Sequence, residues 1–345
     1  LQSVEEVAGA HTHDRAGRRV LAATVAGCST SLAPPDTGAL PVRQVGEVVL
    51  PGAPVRFDYT VLDAGRGLLF AAHMGAGELV EVDVHAHAVV RTVGDLPDVH
   101  GVIVVPPKGR MYASVTGRNQ LVALDEITGA VLYTAPTDTY PDGLAYDPIR
   151  NTVWTTNEHA GTETVIDADT GAVRATVRLG GEVGNVVYDR SADTMVVAVQ
   201  GENDLAVIDP ADFAVTERIP MPGCDHPHGQ ALDAVENVMF VGCEANASVL
   251  TVDLIHHTAG DLGKVGETPD VLVYDQSAHR VYVATESGWV SVFDRRAGHT
   301  VAAGSRHLAD GAHTLALDPL THHSYFPIPK GSTGGPVLRE FEPTS

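Results

Sequence analysis

Lysine is almost missing from this chain: in 345 residues only Lys108, Lys264 and Lys330 occur, and arginine carries nearly all the positive charge. Against 22 Lys+Arg stand 44 Asp+Glu, a formal charge of 22 − 44 = −22. That balance argues against broad binding to phosphate backbones or anionic membranes, leaving room only for a local basic patch. No apolar run approaches 18 residues, so the sequence contains no helix that spans a bilayer. It also lacks a Gly-x-Ser-x-Gly elbow, a His-Glu-x-x-His pair and any glycine-rich dinucleotide or phosphate loop. Aromatics make up only 5%, yet 44% hydrophobic residues with 35 glycines and 21 prolines is a foldable composition, neither disordered nor collagenous. A sustained i, i+3, i+4, i+7 apolar pattern is absent too, so helices are expected to be few.

What the chain does have is a period. Aspartates closing short apolar runs recur at Asp83, Asp125, Asp167, Asp209, Asp253 and Asp294, in steps of 42, 42, 42, 44 and 41. A second series, Asp63, Asp147, Asp189, Asp233, Asp275 and Asp318, keeps the same spacing. Between the two series lie strand-length runs rich in Val, Tyr, Phe and Thr, such as Arg110-MYASV and Arg280-VYVAT. The aspartates suit the turns that follow, because a carboxylate bonds backbone N–H groups two residues on. Four short strands in about 42 residues are the signature of a β-propeller blade. The expected fold is therefore all-β, a seven-bladed propeller of four-stranded antiparallel blades over residues 41–345. Its last blade has only three strands, Leu315–Leu317, Ser324–Phe326 and Val337–Phe341. The fourth is expected from Val42–Leu50, so that the two chain ends pair and close the ring.

Residues 1–40 stand outside the repeat. Arg18-Arg19, the short apolar run Val20-LAATVAG and Cys28 resemble the end of a bacterial lipoprotein export signal, with Cys28 lipidated. The alternative is a plain tail with a stray cysteine. On the first reading the protein is exported and either periplasmic, extracellular or lipid-anchored. His11 and His13 lie in this tail.

The period also lines up two rings of residues. The start of each blade's first strand and the end of its second lie at one mouth of the central channel. The first ring reads Asp58, His100, Asp142, Gly184, His228, Asp270 and His313. The second reads Met74 with His73 beside it, Thr116, Glu158, Gln200, Glu244, Glu286 and Pro329. Turn chemistry favours Gly, Ser, Asn and Pro at loop ends, so Asp or His at six of seven first-ring positions points to a site. Three chemistries suit it: one divalent metal held by imidazole and carboxylate, acid–base work by a His beside a carboxylate, or plain binding of a cationic or polyhydroxyl ligand. Metal candidates are His100, His226, His228 and His313. Candidates for a catalytic base are His228 and His313. Asp58, His73, Asp142, Glu158, Gln200, Glu244, Asp270 and Glu286 complete the expected ligand-binding set. Arg56 and Arg339 are candidates to neutralise part of the charge, but the sequence does not place them. The remaining histidines, such as His85, His256 and His322, fall on outer strands or turns.

Blade 5 adds Cys224-Asp-His-Pro-His-Gly before its first strand and Cys243-Glu after its second. A disulfide between Cys224 and Cys243 is one reading and suits an oxidising compartment. Two free thiols, or a metal site shared with His226 and His228, are the others.

The blade pattern, with His226-Pro-His-Gly, Pro269-Asp-Val-Leu-Val-Tyr-Asp, Val281-Tyr-Val-Ala-Thr-Glu-Ser-Gly, Ala312-His-Thr and Tyr325-Phe-Pro, resembles the YncE-like, YVTN-repeat family of exported bacterial propellers. The resemblance covers residues 42–343 and implies an exported ring with a ligand site on one face, without naming a reaction. The expected function is a propeller that binds a metal ion or small ligand in its His/Asp/Glu funnel. Two alternatives stand beside it: a metal-assisted lyase or hydrolase resembling virginiamycin B lyase or the propeller lactonases, and a scaffold that binds proteins on its rim.

Overall fold

In a computed structural model that describes residues 38–344, every strand belongs to one of seven four-stranded antiparallel sheets. Blade 1 runs from Thr60 to Val93, blade 2 from Val99 to Pro136, blade 3 from Pro141 to Arg178 and blade 4 from Val183 to Pro220. Blade 5 spans Pro227–Lys264 and blade 6 spans Pro269–His307. Blade 7 takes its inner three strands, Ala316–Leu317, Ser324–Ile328 and Val337–Pro343, from the C-terminal part and its outer strand, Val42–Val49, from the start. The pairing of Val49 with Val337 and of Val42 with Pro343 joins the first and last described strands. A ring closed in this way leaves each four-stranded blade with only short edges, at its first and fourth strands.

The turn aspartates do what their chemistry suggests. Asp125 Oδ1 accepts from the N–H groups of Ile127 and Thr128, and Asp167 Oδ1 accepts from Asp169 and Thr170. Asp147, Asp189 and Asp275 hold the turn after the first strand in the same manner. Each blade hides its apolar residues against the next. Phe70 and Leu79 of blade 1 pack on Val102, Met111 and Val122 of blade 2. The closing seam is built alike, with Phe57, Leu69 and Val80 against Ala316, Tyr325 and Leu338. Burying one such Leu, Val or Phe is worth about 1.5–3 kcal/mol, and repetition around the ring makes the interblade seams the core.

Among the described residues the only helices are five single 3₁₀ turns, and none is long and apolar enough to cross a membrane. Four of them follow the second strands of blades 1, 2, 3 and 5; in blades 3 and 5 they begin at Glu158 and Glu244. Cys28, proposed as a lipidation site, and His11 and His13 lie outside the described residues.

Candidate functional site

The residues of the first ring reach the channel mouth through a repeated backbone device. In blades 2, 3, 4, 5 and 6 the register between the first and second strands slips by one residue just after the first pair. In blade 2, for example, Val99 faces Val115 but Val102 faces Ala113, leaving His100 and Gly101 against one fewer partner residue. Such a bulge bends the strand and re-aims a side chain. His100, Asp142, Gly184, His228 and Asp270 all stand in these bulges. Glycine after the ring residue lets neighbouring bulges touch. A Cβ on Gly229 would lie 1.8 Å from the carbonyl oxygen of Asp270, and one on Gly101 would lie 2.3 Å from that of Asp142.

The resulting cavity, about 160 Å³, is lined by Arg56, Asp58, His100, Tyr140, Asp142, Glu158, His228, Glu244, Asp270 and Glu286. His313 adjoins it from blade 7, almost fully buried, with Nδ1 2.7 Å from Asp270 Oδ2 and 3.3 Å from Glu286 Oε1. Its other nitrogen, Nε2, lies 2.6 Å from the Phe57 carbonyl oxygen. A carbonyl only accepts, so Nε2 carries the hydrogen and Nδ1 faces the two carboxylates. Ligand atoms of Asp270, Glu286 and His313 all fall within 4.8 Å of one another, a spacing that can hold a metal ion.

Two further groups frame this triad. Arg56 reaches Asp58 at 3.0 Å, Glu286 at 2.6 Å and Asp270 at 3.8 Å. His228 turns Nε2 toward Asp270 Oδ1, at 3.4 Å, and Asp142 Oδ2, at 3.8 Å. Its Nδ1 lies 2.8 Å from the Gln200 amide nitrogen, which also reaches Glu244 at 3.4 Å. On the far side, His100 Nδ1 donates to the Asp98 carbonyl and its Nε2 lies 3.3 Å from the Tyr140 hydroxyl. The Tyr140 ring rests on His159 with centroids 4.0 Å apart.

The electrostatics are uneven. Six carboxylates line the cavity against one guanidinium, so even three protonated imidazoles would leave 4 − 6 = −2. Burial alone would lower His313, but its hydrogen bonds to Asp270 and Glu286 hold it up to about 10. Asp270 is held well below the usual carboxylate range, because the imidazoles of His228 and His313 overcome the burial that would raise it. Asp142 goes the other way: burial pushes it up to about 7, against the pull of His100 and His228. Burial also raises Glu158 and Glu244, with His228 only partly opposing it. Negative charge is thus well supported beside His313 and poorly supported around Asp142.

Asp58, His100, Asp142, Glu158, His228, Glu244, Asp270, Glu286 and His313 are brought together, with Gln200 behind His228. His73 is not. It is buried, stacked on Phe57 with centroids 4.1 Å apart, and bonded to Glu78 and the Ala53 carbonyl. As the last residue of a strand it faces the blade seam, one position short of the mouth. His226 is also absent from the cavity wall; its side chain is half exposed and pairs with Asp225 at 3.1 Å. Cys224 and Cys243 are joined in a disulfide, which leaves neither thiol for a metal. Arg339 pairs with Glu47 on the outer strand of blade 7. Tyr140, which the period does not single out, stands two residues before Asp142, in the same place relative to it as Arg56 to Asp58.

No family model matches the chain, and no curated protein matches it. The seven-bladed architecture is compatible with the YVTN-repeat likeness, which rests on the motifs quoted above.

Proposed function

We propose that the channel mouth is a binding site for one divalent first-row metal ion, with His313, Asp270 and Glu286 as its protein ligands. The observation that carries this reading is the posture of His313. A metal-binding histidine typically donates its far N–H to a backbone carbonyl and turns the other nitrogen to the ion, and His313 has that arrangement through Phe57. One imidazole with two carboxylates suits zinc, manganese, iron or nickel better than calcium or magnesium, which prefer oxygen alone. Arg56 shares Glu286 with the proposed ion, and a carboxylate has lone pairs enough for both. The buried disulfide supports export to an oxidising compartment.

A metal-assisted lyase or hydrolase is the second reading, favoured by His228. His228 lines the cavity with Nδ1 held by the Gln200 amide N–H and Nε2 turned toward Asp270 and Asp142, which leaves a ring proton at the wall where a general acid would carry it. Metal content separates these readings from a rim scaffold. After zinc loading and dialysis, the protein should retain one equivalent of zinc by mass spectrometry, and His313→Ala should lose it while keeping its thermal transition. Equal zinc retention in both proteins would remove His313 from the site, and no retention in either would remove the site.

A further inference from the structure

The acidic mouth occupies one end of the channel, and the strands that form it change character toward the other. Just before blade 1, the Tyr59 hydroxyl reaches across to blade 4 and donates to Asn185 Oδ1 at 2.5 Å. Past this crossing the first strands of blades 1 to 4 turn aliphatic. Val61, Ile103, Leu144 and Val187 are only half-buried there, although each stands in the innermost strand of its blade. With Tyr146 and Tyr188 they wall a cavity of about 570 Å³ whose lining contains no Asp or Glu. In a chain with 44 acidic residues, a wall free of carboxylates sets this end apart from the mouth opposite. Charge enters only at the rim. The first residue past the innermost strand is Pro106, Pro148 and Arg190 in blades 2, 3 and 4, and all three line the cavity. The matching positions of the other blades hold Ala64, Ala234, Gln276 and Pro319, so Arg190 is the single charge among seven. Its side chain is exposed and makes no ion pair or hydrogen bond among the described residues.

We infer that this end of the channel binds a small amphipathic carboxylate, with its hydrocarbon part in the aliphatic cavity and its carboxylate on Arg190. Small-molecule sites are mostly apolar hollows of about 300–1,000 Å³ with a few polar groups that fix orientation, and this cavity has that size and make-up. A guanidinium presents parallel N–H donors that match the two oxygens of a carboxylate, and here no protein acid occupies them. A cationic ligand fits less well, because it would meet Arg190 at the rim and find no carboxylate in the wall. A polyanion fits less well too, since one arginine must then work against a chain of formal charge −22.

The test titrates chelator-treated protein calorimetrically with octanoate at neutral pH. The controls are n-octanol, which has the chain without the charge, and acetate, which has the charge without the chain. Working without metal keeps octanoate from ligating an ion at the mouth, so this result and the zinc result can succeed or fail separately. Octanoate should bind one to one and more tightly than either control. Arg190→Ala should weaken octanoate about three- to tenfold, the range of a charge-assisted hydrogen bond that stays partly solvated, and leave n-octanol unchanged. Arg306→Ala, at an arginine of a separate surface cavity, should leave octanoate unchanged. Both arginines are exposed, so neither substitution disturbs the core. Octanoate that binds no tighter than n-octanol, or that is weakened by Arg306→Ala and not by Arg190→Ala, would overturn the inference. So would a failure to bind octanoate together with a dimer in sedimentation that Arg190→Glu dissociates, since a second copy would then cover this face.

Discussion

At the scale of single residues, the site depends on which buried carboxylates have partners. Asp270 lies between two imidazoles and a guanidinium, so its charge is stabilised and it is suited to hold a cation. Elsewhere in the ring a buried acid without partners shows what the same group costs when it has no such function. Glu163, in the third strand of blade 3, is fully buried and neither of its oxygens has a hydrogen-bond partner. Burial raises its pKa well above the ordinary carboxyl value, so the folded protein holds it neutral while the unfolded chain ionises it. The unfolded state therefore binds fewer protons, and stability falls as pH rises above the unfolded carboxyl pKa of 4.5. Glu163→Met removes this penalty. Thermal or denaturant unfolding should show the variant gaining about 1–3 kcal/mol over the wild type by pH 8, with the gain shrinking toward pH 4.5. A difference that does not change with pH would mean that Glu163 is already paired or already charged in the native state.

At the scale of elements, the bulge at the start of the first strand in blades 2 to 6 joins fold to site. Sequence periodicity locates the ring residues because every blade repeats the offset. It does not show that they stand in bulges, since a bulge is a matter of register rather than residue type. The glycines do hint at it: His100-Gly101, Asp142-Gly143 and His228-Gly229 repeat a pair that turn chemistry alone does not require. Gly229→Val tests the link, because its Cβ would overlap the Asp270 carbonyl oxygen and no flexible side chain can move aside. Overpacking of this kind costs about 1–3 kcal/mol and shifts the backbone. The variant should fold with a lower melting temperature and bind zinc at least several-fold more weakly, since Asp270 moves with its strand. Normal zinc affinity together with lost stability would show that the bulge serves packing alone.

At the scale of the whole molecule, the negative charge divides into two roles. Turn aspartates distributed around the ring hold the strand connections, and six carboxylates converge on one mouth. The architecture was legible because both aspartate series and the strand lengths share one period, and because the short seventh blade required a strand from the start of the chain. The site was legible in outline for the same reason. The period fixes neither Arg56 nor Tyr140, since both lie in connections before first strands, where loop path and not period decides where a side chain goes. His73 and His226 show the opposite error. Each is one or two positions from a ring residue, and a step of one along a strand or through a bulge turns the side chain away from the mouth. The proposed site depends most heavily on His313, Asp270 and Glu286 meeting at a single ion. An anomalous-difference map from zinc-soaked crystals, collected above and below the zinc edge, tests that directly. It should show one strong peak within about 2.0–2.2 Å of His313 Nδ1 and of an oxygen from each of Asp270 and Glu286. A channel mouth without a peak, or a peak only at exposed groups such as His226 and Asp225, would contradict it.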